Sequence, residues 1–219
     1  MTSLAGGVQG ARAGFSAQVK PVLLGALSAG AIPVALFSAF LLAAGVSPID
    51  AFSAMVQSAV GTSYGFGEVL VRAAPFALTA LAAAIPARAG LINVGAEGQL
   101  VFGALFSAAL ATALGDVGPI GLPFLLVAGA VGGAAWSGLA AVLRIKLQLN
   151  ETICTLLLNY VAYLLVSMVL QSWLKDPASF NWPFSPPLTD GLRFPTLFGS
   201  RVHVGIVVAP LAAVAFAWM

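Results

Sequence analysis

Long apolar runs separated by short polar breaks dominate the chain. Pro21–Val46 carries no charge, Ala73–Ala87 and Leu100–Leu114 are shorter apolar runs, and Leu122–Leu143, Thr152–Leu174 and Val202–Met219 follow. The runs are continuously apolar, without the polar alternation of a barrel strand, so they predict membrane-crossing α-helices. The expected fold class is all-α: a polytopic transmembrane bundle with about six spans. The two shorter runs cover only about 22 Å each at 1.5 Å per residue, less than a hydrocarbon core of about 30 Å. Either flanks at Val69 and Gln99 are drawn into the helices, or a helix is broken near 90–99.

The segments between the runs set the expected organisation. Residues 1–20, with Arg12 and Lys20, read as an N-terminal tail, and residues 21–219 as one transmembrane domain with a kink at Pro33. Ser47–Arg72 is mixed in polarity and reads as an interfacial loop with a short helix. Gly115–Gly121 reads as a tight turn, and Arg144–Glu151 as a short polar loop. Lys175–Arg201 is broken by prolines and rich in aromatics, which suits a membrane interface. Small residues recur at Gly129, Gly133, Ser137 and Ala141, a row that lets another helix approach closely. With the N-terminus inside, the inner segments hold Arg12, Lys20, Arg88, Arg144 and Lys146. Arg72, Lys175, Arg193 and Arg201 then lie outside, and the denser inner charge favours a cytoplasmic tail. Val202–Met219 has no basic flank after it, so the chain is expected to stop partway through a longer membrane domain.

Composition narrows the class further. Of 219 residues, 60% are hydrophobic and only 7% charged, against about 25% charged in a soluble domain. Too few charges remain to cover a surface facing water. The net charge of +2 gives no footprint for nucleic acid. The single cysteine, Cys154, excludes an internal disulfide framework, and the single histidine, His203, has no companions for a metal site. No nucleophile–base pairing, P-loop or dinucleotide fingerprint is present, so no catalytic residue is assigned.

Two motifs carry the candidate chemistry. The first, Arg88–Gln99, reads Arg-Ala-Gly-Leu-Ile-Asn-Val-Gly-Ala-Glu-Gly-Gln. It places Asn93, Glu97 and Gln99 among three glycines, Gly90, Gly95 and Gly98. One reading is a glycine-rich joint whose polar groups line a solute path, since irregular backbone at membrane depth needs protein or water around it. The other is a cytoplasmic turn with Arg88 anchoring one helix end. The second motif starts at Leu149-Asn150-Glu151-Thr152-Ile153 and ends at Leu158-Asn159-Tyr160. Asn150 suits an N-cap, and Glu151 the positive end of the helix dipole. Thr152, Thr155 and Asn159 share a face, which serves either a pathway or hydrogen bonding between helices.

The first motif, extended to Leu100, resembles the signature of ABC-transporter permeases for nucleosides and simple sugars, in the wider branched-chain amino acid and ribose permease superfamily. The second motif is similar to one of the nucleoside-type branch, as is Arg201-Val202-His203-Val204-Gly205. The resemblance covers about residues 21–219. It implies a multi-pass subunit of the cell (inner) membrane that pairs with a second permease in the lipid bilayer. Cytoplasmic ATPase subunits would bind the ATP, with no cofactor on this chain, and an extracytoplasmic solute-binding lipoprotein would deliver a nucleoside or related sugar. It also implies that Asn93, Glu97, Gln99 and Asn159 contribute to the translocation path or its gate. Two other classes stay open: a secondary transporter or channel with Glu97 as an ion or proton site, and a membrane scaffold without a solute path.

Overall fold

The computed structural model describes residues 25, 29–197 and 200–218. The expected tail over 1–20 and the start of the first run lie outside the described residues. The chain divides into two compact units between Thr62 and Ser63.

In the first unit, α1 covers Ala29–Ala43 and α2 covers Pro48–Val60, bent from each other by 116°. The break has local causes. Gly45 takes a positive φ of 74°, Pro48 opens α2, and the Ser47 side chain accepts from the Asp50 amide as its N-cap. The helical run continues through Pro33, so the sharp bend lies at Ala44–Ser47 instead. The Phe37 and Phe52 rings meet edge to face, 5.9 Å between centroids.

The second unit contains α3 (Ser63–Arg88), α4 (Ala96–Leu114), α5 (Gly121–Leu147), α6 (Glu151–Leu170) and α7 (Val208–Ala217). Four of these, α3 to α6, are long and apolar enough to cross a membrane, and the α1–α2 pair makes at most a fifth such span. The described residues therefore do not reach the expected six. The first run is bent away after Gly45, and α7 has only ten residues. Ser47–Arg72 contains the expected short helix, α2, but its second half is helical as well and not a loop. It holds α2 and the first turns of α3, whose 26 residues reach about 39 Å. Both flanking helices thus draw in the residues beside the short apolar runs, and the interruption is confined to Ala89–Gly95.

Close packing centres on α4 and α5, and the row of small residues explains it. A Cβ on Gly103 would lie 2.7 Å from the Gly129 carbonyl oxygen, and one on Gly133 would lie 3.2 Å from the Gln99 carbonyl oxygen. The Ser107 hydroxyl donates to the Leu125 carbonyl across the same seam at 2.8 Å. Helix α6 packs on the other side, where Trp136, Cys154, Leu158 and Ala162 are buried together and Phe102 stacks on Trp136 at 4.2 Å. Apolar side chains such as Leu126, Val127, Leu157 and Leu164 stay exposed on the outer faces, as lipid-facing positions require.

At the end of the bundle opposite the Ala89–Gly95 interruption, the proline-rich segment folds back over α4 and α5. Leu192 is 2% exposed and packs with Ala111 and Leu125. Among the described residues, one antiparallel bridge pairs Thr196 with His203.

Candidate functional site

The interruption starts with a helix stop written in the sequence. Gly90 takes φ 73°, the left-handed geometry that ends a helix without a Cβ penalty. The Leu91 amide then donates to the Pro86 carbonyl at 3.0 Å, and the Gly90 amide to that of Ala87 at 3.0 Å. These bonds satisfy the Pro86 and Ala87 carbonyls in the last turn of α3. The Arg88 guanidinium lies 4.1 Å from the Phe216 ring centroid, tying the end of α3 to α7.

After Gly90 the chain runs along α6, and α6 supplies the hydrogen bonds that the non-helical backbone lacks. The Glu151 carboxylate accepts from the Ile92 amide at 2.6 Å. The Thr155 hydroxyl accepts from the Val94 amide at 3.2 Å. The Asn159 side chain accepts from the Gly98 amide at 2.8 Å and donates to the Val94 carbonyl at 2.8 Å. Glu151, Thr155 and Asn159 follow one another at helical spacing of four, so they form one stripe. The polar stripe of α6 thus keeps Thr155 and Asn159 of the expected face and has Glu151 in place of Thr152.

Asn159 also solves a capping problem. Gly95 stands at the N-cap of α4 and has no side chain to offer. The first amides of a helix have no partner within it, and Gly98 is the third residue of α4. A side chain from α6 caps α4 in place of a local one. The close approach requires glycine: a Cβ on Gly98 would sit 2.8 Å from Asn159 Oδ1, and one on Gly95 would sit 3.0 Å from Thr155 Cβ. The expected joint glycines therefore hold three distinct positions, Gly90 for its φ and Gly95 and Gly98 for contact with α6. Asn150 caps α6 as expected, its Oδ1 accepting from the Thr152 and Ile153 amides. Glu151 pairs with Arg144 in addition to Ile92.

Asn93 and Gln99 lie side by side. Asn93 is fixed by two good bonds: its Nδ2 donates to the Ala82 carbonyl at 3.0 Å, and its Oδ1 accepts from the Gly95 amide at 2.9 Å. Among the described residues, the Gln99 side chain is held by a reciprocal amide pair with Asn93, both contacts at 3.4 Å. That is longer than the usual 2.9–3.0 Å, so the Gln99 amide keeps hydrogen-bonding capacity to spare.

Two cavities meet at this residue. One, about 520 Å³, is lined by Asn93, Gln99, Ser137, Arg144, Glu151 and Thr155 and lies at the Ala89–Gly95 end. The other, about 810 Å³, is lined by Gln99, Ser107, Arg193, Phe194, Arg201 and His203, with an apolar wall from α4 and α5. Gln99 borders both. Asn159 borders neither, because its side chain is used on backbone. Glu97 borders neither as well; it is exposed on the first turn of α4. Arg201 is ion-paired with Glu68 at 2.7 Å. Its pKa is raised above the ordinary arginine value, first by the hydrogen bond to the Tyr64 hydroxyl and then by the Glu68 carboxylate. Neither the two-sided position of Gln99 nor the role of the Arg201 segment is readable from the sequence, since each depends on elements far apart in the chain. The Arg201-to-Gly205 motif is the one signal that pointed toward that segment.

Comparison with known proteins gives a consistent set of relatives. The family described as branched-chain amino acid transport system / permease component matches residues 65–219. The chain is 38% identical over 186 residues to a glucose ABC transporter permease protein of Haloferax volcanii, covering 80% of this chain and 49% of that one. It is 32% identical over 203 residues to a guanosine ABC transporter permease protein of Bacillus subtilis, covering 88% and 54%. It is 29% identical over 194 residues to a nucleoside ABC transporter permease protein of Lactococcus lactis subsp. cremoris, covering 81% and 51%. The chain spans about half the length of these curated relatives. No solved structure matches it.

Proposed function

Since the chain belongs to the branched-chain amino acid transport permease family, we propose that it is a membrane-spanning subunit of an ABC importer whose solute passes the Asn93–Gln99 amide pair. The solute is a nucleoside or a related simple sugar, in line with the names of the relatives. The observation that carries the reading is the meeting of two cavities at Gln99. A residue that borders both compartments with weakly held hydrogen-bonding groups is placed to contact a solute and to separate the two sides.

The subunit works with a second permease, cytoplasmic ATPase subunits and an extracytoplasmic solute-binding lipoprotein. ATP is bound by the ATPases, and this chain breaks no bond. The end holding Arg88, Arg144 and Lys146 faces the cytoplasm, following the Lys/Arg rule. Transport alternates between openings toward the two sides, and ATP supplies the free-energy difference between them. The stripe of α6 keeps the joint in register during that exchange, with Asn159 as its main clamp. Glu97 stands outside the path in this proposal. That placement weighs against the secondary-transporter reading, which needs the Glu97 carboxylate inside a cavity.

The test is uptake of labelled guanosine and labelled glucose by proteoliposomes that hold the assembled importer. Uptake of at least one solute is expected only with ATP and an active ATPase partner. Equal uptake with a hydrolysis-dead partner would overturn the proposal.

A further inference from the structure

We propose that the 810 Å³ cavity is a resting site for the nucleobase of a nucleoside, built by His203, Phe194 and Gln99. The inference rests on the permease reading and names the residues and the solute class at that site.

The cavity has the size of small-ligand pockets, which run about 300–1,000 Å³ with mostly apolar walls and a few polar groups. Its apolar wall comes from α4 and α5, including Leu100, Leu122 and Leu126. Its polar groups converge from two sides. Gln99 stands at the inner end with an amide held only by 3.4 Å contacts. His203 and Phe194 stand across from α4 with nearly parallel rings, 19° apart in plane and 5.9 Å between centroids. The His203 Nδ1 is buried without a hydrogen-bond partner among the described residues. Because that nitrogen lies against Gly205, the aromatic pair supplies ring faces and the loosely held Gln99 amide supplies the polar groups, and together they offer both things a base needs. One is a face that continues the stack, and the other is a set of donors and acceptors for its edge.

Charge narrows the class of solute. The charged side chains that line the cavity are Arg193 and Arg201, with no carboxylate among them. Arg201 is ion-paired with Glu68, and Arg193 with Asp190 at 3.4 Å. The site therefore suits a neutral solute, or a weakly anionic one, and disfavours a cation. A hexose can lay C–H groups against a ring but has no π-system to continue the stack and no flat heteroaromatic edge for the Gln99 amide to pair with.

The Thr196–His203 bridge and two backbone bonds, Leu197 to Val202 at 2.7 Å and Val204 to Pro195 at 3.1 Å, set the ring pair in place. The Arg201 contacts to Glu68 and to Tyr64 at 3.1 Å fix that segment to α3. The site is thus assembled from distant parts of the sequence, and its rings sit on a braced segment.

The experiment uses the assembled importer in proteoliposomes, with guanosine and glucose as probes. Phe194→Leu and His203→Ala are each expected to raise the half-saturating guanosine concentration about tenfold. Glucose uptake, where present, is expected to stay within about twofold. A second measurement does not depend on turnover. Thr196→Cys, an exposed position on the cavity wall, is labelled with a membrane-impermeant maleimide while the native Cys154 is buried. Saturating guanosine is expected to slow that labelling at least threefold, and glucose to leave it unchanged. Unchanged guanosine half-saturation in both ring variants, with labelling that guanosine does not slow, would overturn the site. Protection by glucose equal to that by guanosine would overturn the nucleobase assignment. Wild-type uptake independent of ATP would instead overturn the permease reading, a distinct outcome.

Discussion

Replacing Asn159 by alanine tests how the joint is held. The residue is 9% exposed, and its side chain makes two bonds to backbone, to the Gly98 amide and the Val94 carbonyl, both at 2.8 Å. A buried group left without a partner costs about 1–3 kcal/mol. The Gly98 amide faces that full cost, because α4 offers no other cap. The Val94 carbonyl costs less, since under-satisfied carbonyls are better tolerated than orphaned amides. The sum is about 2–4 kcal/mol. Ordinary hydrogen bonds between side chains of membrane helices average only about 0.6 kcal/mol, because partners are found in the unfolded state too. The two estimates differ enough for one experiment to choose between them. Gly98→Ala provides the other arm of a cycle: its Cβ would lie 2.8 Å from Asn159 Oδ1, an overpacking of about 1–3 kcal/mol. In the double variant that oxygen is gone, so the two losses are expected to fall short of additivity by about 1 kcal/mol. Reversible unfolding in mixed detergent micelles measures all four species. A loss below about 0.6 kcal/mol for Asn159→Ala, with strict additivity to Gly98→Ala, would refute the capping argument.

Other outcomes follow from the same geometry. Trp136→Phe is expected to cost about 1–3 kcal/mol by the same unfolding assay, from the void left beside Phe102 and not from a lost hydrogen bond, since the indole nitrogen has no partner among the described residues. Gly103→Ala is expected to cost about 1–3 kcal/mol, since its Cβ would meet the Gly129 backbone, which has no rotamer to yield. Gly90→Ala is expected to cost about 1 kcal/mol through its left-handed backbone, read out as faster proteolysis of the Ala89–Gly95 segment. Glu151→Gln keeps an acceptor for the Ile92 amide but loses the Arg144 ion pair, half exposed on the arginine side. Its expected loss is below about 1 kcal/mol, and a loss as large as that of Asn159→Ala would contradict the ranking.

Local chemistry was readable from the chain, and long-range chemistry was not. Asn150 as a cap and the small residues of α5 act within one turn or on one face, so spacing alone exposes them. The polar residues of Ser47–Arg72 misled for the opposite reason. Glu68 is helical and is matched by Arg201, far along the chain, so a charge that looked like loop solvation is an intrahelical position with a tertiary partner. The face on α6 held Thr155 and Asn159 but took Thr152 for Glu151, because Glu151 looks like a dipole residue until the Ile92 amide is seen against it. Asn159 read equally well as a path residue or as interhelical glue, and its two backbone partners, Gly98 and Val94, lie more than sixty residues away, beyond the reach of spacing. The two cavities that meet at Gln99 depend on how α4, α5 and the proline-rich segment fold together, and no periodicity encodes that.

Side-specific labelling of Gln99→Cys in the reconstituted importer tests the central claim most directly. Impermeant reagents are applied to each face in turn, first without nucleotide and then with the ATPase trapped by ATP and vanadate. The account predicts that the cysteine reacts from one face in the first state and from the opposite face in the second. Reaction from a single face in both states, while ATP-driven uptake proceeds, would contradict it.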